Sequence, residues 1–377
     1  MSDCQIEAAC CTADRHILSA MPTPTYAPAN QPSHDSPGNV QPTAGQVERH
    51  LTRSGRRIYR IPIEVFPQFY GNAYLICGGS HRILVDCGSG QRSSNAALDK
   101  GLATIRDEFG EDVSWKDLGT VLITHGHIDH IGGLNWLLER TDATLGIHVL
   151  DRRILSNYEE RMVVASAQVE IFLEGSGVSP ERSTQYLEMY RMMKQLFQSR
   201  PADFWFEEGP LLNGELEAFH VPGHCPGQVC LQVDDVLLTA DHLLPDITPH
   251  LSPEVITLNT GVGHYLDSLR KIETLTDIQL GLGGHGGPIA DIHRRIEEIR
   301  ESHARRHTLV LETCATPKSV REISRRIFGP VRSYHILLAI LEAGAHVEYL
   351  YQRGELIAVN LDEIEAEPHP VIRYRRA

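Results

Sequence analysis

No apolar run in this chain approaches the roughly 18 residues that a membrane-spanning helix needs. The N-terminus also lacks the basic start and apolar core of a secretory signal, so the expected compartment is the cytoplasm and no membrane partner is expected. There is no GxSxG elbow, no Walker A loop and no dinucleotide fingerprint, which removes serine hydrolases, P-loop NTPases and Rossmann dehydrogenases from consideration. The eight cysteines lack the dense, regular spacing of a disulfide scaffold. Cys4, Cys10 and Cys11 sit in the N-terminal tail, while Cys77, Cys87, Cys225, Cys230 and Cys314 lie in or beside apolar segments, as reduced buried thiols do. Positive charge is in deficit: 35 Lys and Arg against 49 Asp and Glu give a formal net charge of -14, which disfavours a surface built wholesale for nucleic acid or an anionic membrane.

What the chain does have is histidine, 20 in 377 residues, and enough hydrophobic residues (41%) for a real core. The length suggests two domains or one large domain with appendages. Residues 1–50 are rich in Pro, Ser, Ala, Asn and Gln and read as a disordered tail. From about Arg57, "RIYRIPIEV", "NAYLICGG" and "HRILVDCGSG" read as strands, a helix is expected over Ala97–Phe109, and "LGTVLIT" is a strand buried on both faces. Over about 151–198 the pattern turns helical. Tyr158, Met162, Ala165, Val169 and Phe172 form one apolar stripe, and Tyr186, Met189, Tyr190, Met193, Leu196 and Phe197 form another. Strands resume with "GELEAFHVPGH", "QVCLQVDD" and "VLLTADHLL", so an α/β sandwich with a helical cap insertion is expected. In the last ninety residues, Ser319 and Glu322 form a capping box ahead of Val320, Ile323 and Ile327, with Gly329-Pro330 as a stop. Tyr334, Leu337, Leu338 and Leu341 mark another helix, closed at Gly344, and "HVEYLYQRGELIAVN" reads as a hairpin turning at Arg353-Gly354. Helices followed by a hairpin predict a winged-helix-like unit over 291–377.

The chemistry concentrates in "THGHIDHIGG". His125, His127, Asp129 and His130 fall within six residues, directly after a buried strand, where α/β proteins present their reactive groups. Imidazole and carboxylate suit zinc, and also iron or manganese. Four donors this close do not serve one ion comfortably, and two neighbouring divalent ions are the natural solution. Three later turns supply the remaining donors: His224 in "HVPGHCPGQV", Asp241 at the end of "VLLTADHLL", and His285 in "LGLGGHGGPI", where glycine lets the backbone approach closely.

These motifs, with Asp86 in "ILVDCGSG", resemble the metallo-β-lactamase superfamily in its glyoxalase II-like branch, over about Arg57–Ile289. The resemblance implies an αββα sandwich, placed here over 51–290. It implies one metal on His125, His127 and His224, a second on Asp129, His130 and His285, and Asp241 bridging them, with Asp86 supporting the loop beneath. It also makes Cys225 an unlikely ligand. The C-terminal unit resembles the winged helix of the β-lactamase-like protein 2 group. Two adjacent divalent ions ionise a shared water near neutral pH, and Asp129 can orient that water and carry a proton to the leaving group. The aromatic and methionine stripes of the insertion suit a substrate with an apolar acyl or aromatic group, so the expected reaction is cleavage of an ester-type bond: a thioester, ester or lactone. The alternative is an endoribonuclease-like phosphodiesterase using Arg321, Arg325, Arg326 and Arg332 to hold RNA, against which the net acidity stands. His242, His264 and Tyr265 are candidates for supporting contacts around the ligands. The C-terminal unit and the lid are candidate homodimer contacts.

Overall fold

The structure is a computed structural model that describes residues 45–377 apart from 195, 196 and 333. Of the tail expected over 1–50, residues 1–44 lie outside the described residues, as do Leu196 and the Met193 side chain of the second apolar stripe, while Glu48–His50 belong instead to the strand that opens the first sheet, paired with Ile58–Arg60. The first sheet runs β1 (Glu48–Leu51), β2 (Arg57–Phe66), β3 (Phe69–Cys77) and β4 (Arg82–Val85). Helix α1 (Arg92–Phe109) follows, then β5 (Leu118–Ile123), the short α2 (Ile128–Ile131) and α3 (Leu134–Leu138), and β6 (Thr144–His148). An insertion of three helices, α4 (Arg152–Ser156), α5 (Tyr158–Gly175) and α6 (Pro180–Lys194), precedes β7 (Phe204–Phe206), which completes seven strands in chain order. The second sheet contains β8 (Gly209–Leu211), β9 (Leu216–His220), β10 (Val229–Val233) and β11 (Val236–Ala240). After α7 (Val262–Glu273) it adds β12 (Leu280–Gly283) and β13 (Pro288–Ile289), in the order β13-β12-β11-β10-β9-β8.

Alternation along the strands explains the layers, because successive side chains point to opposite faces. In β2 to β5, Ile58, Ile76, Ile83, Val85 and Leu122 face inward and meet Leu231, Leu238 and Leu282 of the second sheet. Their neighbours Tyr59, Ile61, Leu75 and Leu84 face outward onto Leu98, Leu102 and Ile105 of α1. Cys230 and Leu237 do the same on the far side, against Tyr265 and Leu269 of α7 and Ile296 of α8 (Ile292–Thr313). Helix, sheet, sheet, helix is therefore the αββα sandwich expected. Helix α1 begins five residues earlier than expected, at Arg92.

The C-terminal segment differs from expectation. After α9 (Val320–Phe328), which has the predicted capping box at Ser319 and Glu322, α10 runs unbroken over Tyr334–Gln352, through Gly344 and through the first half of the expected hairpin. The strand-like look of "HVEYLY" arises because α10 is enclosed on several sides: Leu341, Ala343, Ala345, Val347 and Leu350 are all buried, so no polar face marks the helical period. The two strands found, β14 (Leu356–Ala358) and β15 (Tyr374–Arg376), are antiparallel but separated by α11 (Leu361–Ala366). This unit shares its core with the insertion: Val169, Leu173 and Leu187 of α5 and α6 join Val310, Ile323, Leu337 and Ile340 in one cluster. No helix among the described residues is long and apolar enough to cross a membrane.

Gly344 is where the two meet, since a Cβ there would overlap the Phe172 ring of α5. In an exposed helix, Gly to Ala stabilises by about 1 kcal/mol. Here overpacking, typically about 1–3 kcal/mol, opposes that gain. Gly344→Ala is expected to lower the unfolding midpoint in the natural chain and to raise it in a Phe172→Ala background, a change of sign that a denaturant double-mutant cycle reads directly.

Candidate metal centre

The site forms where both sheets end. Strand β5 delivers His125 and His127, and the last turn before α2 makes His127 the residue preceding that helix, with Asp129 and His130 inside it. Strand β11 ends at Ala240 and presents Asp241, and β12 runs into the turn carrying His285. Asp86 and Ala240 both adopt left-handed backbone, φ 60° and 46°, a strained conformation for residues with a Cβ and one that concentrates at functional sites.

The seven sequence-predicted side chains converge. Asp241 stands at the centre. One carboxylate oxygen lies 3.5 Å from His224 Nε2, 3.4 Å from His285 Nε2 and 3.9 Å from His125 Nε2, and the other lies 3.5 Å from His130 Nε2. Asp129 approaches His285 Nε2 at 3.4 Å and His130 Nε2 at 3.9 Å. His127 turns Nδ1 inward, 3.2 Å from His125 Nε2. The donor atoms fall into overlapping groups, one with His125, His127, His224 and Cys225, one with His125, His130 and Asp241, and one with Asp129, His130 and His285.

Each imidazole is held by its other nitrogen. His130 Nδ1 donates to Asp86 at 2.7 Å, His224 Nδ1 to the His250 carbonyl at 2.6 Å, and His285 Nδ1 to the Tyr70 carbonyl at 2.8 Å. Thr124 Oγ1 donates to Asp86 at 2.8 Å and accepts from His125 Nδ1 at 3.1 Å. Such outer contacts fix the tautomer and leave the inward nitrogen as a lone-pair donor. Cys225 Sγ lies 3.3 Å from His127 Nε2 and within reach of the His125 and His224 donors, so the structure places this thiol with the candidate ligands, where the resemblance had set it aside.

A cation fits this arrangement. His130 Nε2, His224 Nε2 and Asp241 Oδ1 are buried without hydrogen-bond partners, a costly state that a metal ion relieves. Gly284 leaves the needed room, since a Cβ there would strike Asp241 and His130. The donor set of imidazole and carboxylate suits a borderline divalent ion.

The electrostatics agree. Burial pushes His285 down, but the Asp241 and Asp129 carboxylates overcome it and lift the imidazole to about 10. His130 is likewise held well above the usual histidine range, against burial, by Asp241, Asp86 and Asp129. Burial would raise Asp241, yet His285 and His130 hold it well below the carboxylate range. Burial keeps His125 and His224 low and therefore neutral.

The three candidates for supporting contacts divide. His242 is fully buried behind Asp241, its ring packed 5.2 Å from Tyr265, whose hydroxyl donates to the His242 carbonyl at 2.8 Å. Tyr265 thus steadies the strand end that carries Asp241. His264 turns away, to Glu254 at 2.9 Å. Sequence reasoning missed Asp151. Its buried carboxylate accepts from Gly126 N and Gly227 N, both at 2.9 Å, and so ties the loop of His125 and His127 to the loop of His224. The available signal is a lone acidic residue after the apolar strand "LGIHVL", which by itself marks only the start of the insertion.

Two outcomes follow. Asp86→Ala should weaken metal retention by about 10- to 100-fold in chelator competition, because Thr124 and His130 both lose their anchor. Metal uptake should also release protons. In the metal-free protein the neighbouring carboxylates favour a proton on both His285, lifted to about 10, and His130, and each imidazole must give up its Nε2 proton to bind a metal. Calorimetry in buffers of different ionisation enthalpy should find net proton release on metal uptake, with affinity rising as pH climbs from about 7 toward 10, the value of His285.

A metallo-beta-lactamase superfamily profile matches residues 67–278. A metallo-beta-lactamase family protein of Thermus thermophilus superposes with TM-score 0.69 at 25% identity, over 85% of this chain and 98% of that one. A beta-lactamase domain protein of Burkholderia ambifaria superposes with TM-score 0.64 at 25% identity, over 89% and 96%. An atrochrysone carboxyl ACP thioesterase of Aspergillus fumigatus is 24% identical over 245 residues, 64% of this chain and 58% of that protein. A probable metallo-hydrolase of Bacillus subtilis is 26% identical over 230 residues, 59% and 87%. The chain therefore spans little more than half the length of the Aspergillus relative. With the profile match covering more than half of its residues and the ligand geometry in place, this chain belongs to the metallo-beta-lactamase superfamily.

Proposed function

We propose that this protein is a metal-dependent hydrolase of ester-type bonds, acting on a thioester with an apolar acyl or aromatic group, and that it holds two divalent ions, zinc in the first instance. The observation that carries the reading is a cavity of about 580 Å³ directly above the ligand cluster. Its floor includes His127, Asp129, His224, Asp241 and His285. Its walls include Met162, Ala165 and Val169 of α5, Met189 of α6, and Leu338 and Leu341 of α10. A volume of this size suits a small organic group, and methionine-rich walls adapt to varied shapes. The relatives described as thioesterases support the same bond class.

When bound, the metal pair supplies Lewis acidity, which brings a water toward ionisation near neutral pH. The chain's own residues do the rest. Asp129, at the rim between His285 and His130, is placed to orient the attacking water and then carry its proton to the leaving sulfur. The apolar wall takes the acyl group and excludes bulk water, which strengthens every charge interaction at the floor. The ribonuclease alternative draws less support. Arg325, Arg326 and Arg332 are exposed, Arg321 is tied to the Gly177 carbonyl, and none of the four lines the cavity.

Metal-loaded protein should hydrolyse members of a panel of acyl-coenzyme A, S-acylglutathione and lactone substrates, and leave single-stranded RNA intact. Asp129→Asn should lower kcat by about 10²- to 10⁴-fold, with metal content measured alongside. Failure on every panel member at full metal occupancy, or RNA cleavage in its place, would overturn the proposal.

A further inference from the structure

We propose that Arg161 recognises an anion carried by the substrate, specifically a carboxylate on its acyl part, so that the preferred substrate is an apolar acyl thioester that also bears a carboxylate. This rests on the thioester reading above and narrows it.

The cavity wall on α5 is made by Tyr158, Arg161, Met162, Ala165 and Val169, a single helical face. Arg161 is the one lysine or arginine lining the cavity among the described residues. The stripe expected on this helix is wholly apolar. The structure adds a permanent cation to it, because position 161 lies one helical turn from Tyr158 and Ala165. Among the described residues the guanidinium enters no ion pair and donates no hydrogen bond. The opposite charge it does feel is the Asp151 carboxylate, which is already engaged by Gly126 N and Gly227 N.

A half-buried guanidinium in an apolar wall is costly when it lacks a close partner, and leucine or methionine would fill the same surface at no such cost. An anion arriving with the ligand removes the cost and gains a charge-assisted, two-pronged contact. The location narrows the anion further. Arg161 lies in the first turn of α5, and its charge reaches Asp151, which grips Gly126 between His125 and His127, so the arginine belongs to the end of the wall nearer that loop. Thioesters of biological carriers also bring phosphate, on the thiol side. Arg161 shares its face with Met162, Ala165 and Val169, the surface fitted to the acyl group, which favours a carboxylate on that side.

The test compares metal-loaded natural protein with Arg161→Met and Arg161→Lys. The substrates are N-acetylcysteamine thioesters, which carry no phosphate, of one acyl group ending in a carboxylate or in its methyl ester, and the methyl-ester acyl group on coenzyme A. The ratio of kcat/KM for carboxylate over methyl ester should fall by about 10- to 100-fold in Arg161→Met and recover in part in Arg161→Lys. An unchanged ratio would overturn the inference while leaving thioester hydrolysis standing. A loss confined to the coenzyme A substrate would move the anion to the carrier phosphate and overturn the acyl assignment. If no thioester is turned over, the thioester reading itself fails. The Arg161 contact is then read by calorimetric binding of the free dicarboxylic acid against its half-ester, where equal affinities in the natural chain and Arg161→Met would overturn it.

Discussion

Two carboxylates and five imidazoles turned into one buried space constitute the constraint on which this molecule depends. Unmetallated, they can satisfy one another only imperfectly: Asp129 and Asp241 favour the protonated form of His130 and His285, while burial outweighs the pull of Asp241 on His125 and His224 and keeps them low. Buried polar atoms without partners normally count against a fold. Here His130 Nε2, His224 Nε2 and Asp241 Oδ1 are left unsatisfied together, at one point and on three separate loops. Unlike the unsatisfied rings of His303 and His346, which pack on each other, these atoms include a carboxylate oxygen and point at one another across the site. The outer hydrogen bonds to Asp86, Tyr70 and His250 keep the rings from rotating away to find other partners.

Above this polar floor the insertion and the C-terminal helices build the opposite environment. The contrast is what favours the proposed substrate, with a polar, reactive group facing the floor and an apolar body against the walls. An open basic groove would have favoured a phosphodiester backbone, and the cavity walls instead carry methionine, leucine and tyrosine with a single arginine. The lid and the C-terminal unit share one hydrophobic cluster, so the cavity roof is part of a cooperative core and not a loop free to drift.

Much of this is legible in the sequence because metal ligands obey local rules. His125, His127, Asp129 and His130 are spaced so that a strand end and one helical turn present them together, and His224, Asp241 and His285 each follow a strand that reads clearly as apolar. The sandwich is legible for the same reason, since alternation assigns Ile58 and Tyr59 to opposite layers. What the sequence hides is tertiary. "HVEYLY" looks like a strand because α10 is wrapped by neighbours on several sides, and burial erases the polar face that betrays a helix. Gly344 looks like a stop, and its small size in fact answers to Phe172, far upstream in the chain. Asp151 and Arg161 have no motif. Their roles arise from what the folded chain places beside them: two glycine amides for one, an apolar wall for the other.

The C-terminal helices are also linked to the metal floor. His224 donates to the carbonyl of His250, and the His250 ring lies 3.5 Å from Glu342 of α10. Glu342 is almost fully buried, and Arg306 of α8 pairs with it at 2.7 Å while its other terminal nitrogen donates to Thr248 at 3.0 Å. A buried carboxylate survives only when its charge is matched, and burial here is outweighed by Arg306 and His250, which hold Glu342 in its ionised form. The segment from Thr248 to His250 is therefore clamped from behind by α8 of the outer helical layer and by α10 beyond the sandwich, and the orientation of one candidate ligand histidine depends on them. Removing those helices would do more than unroof the cavity: it would leave Thr248 and His250 without their anchors, and His224 would lose the fixed carbonyl that sets which of its nitrogens faces the metal. The sandwich supplies the candidate ligands, but the orientation of His224 also answers to α10, which contributes none of them.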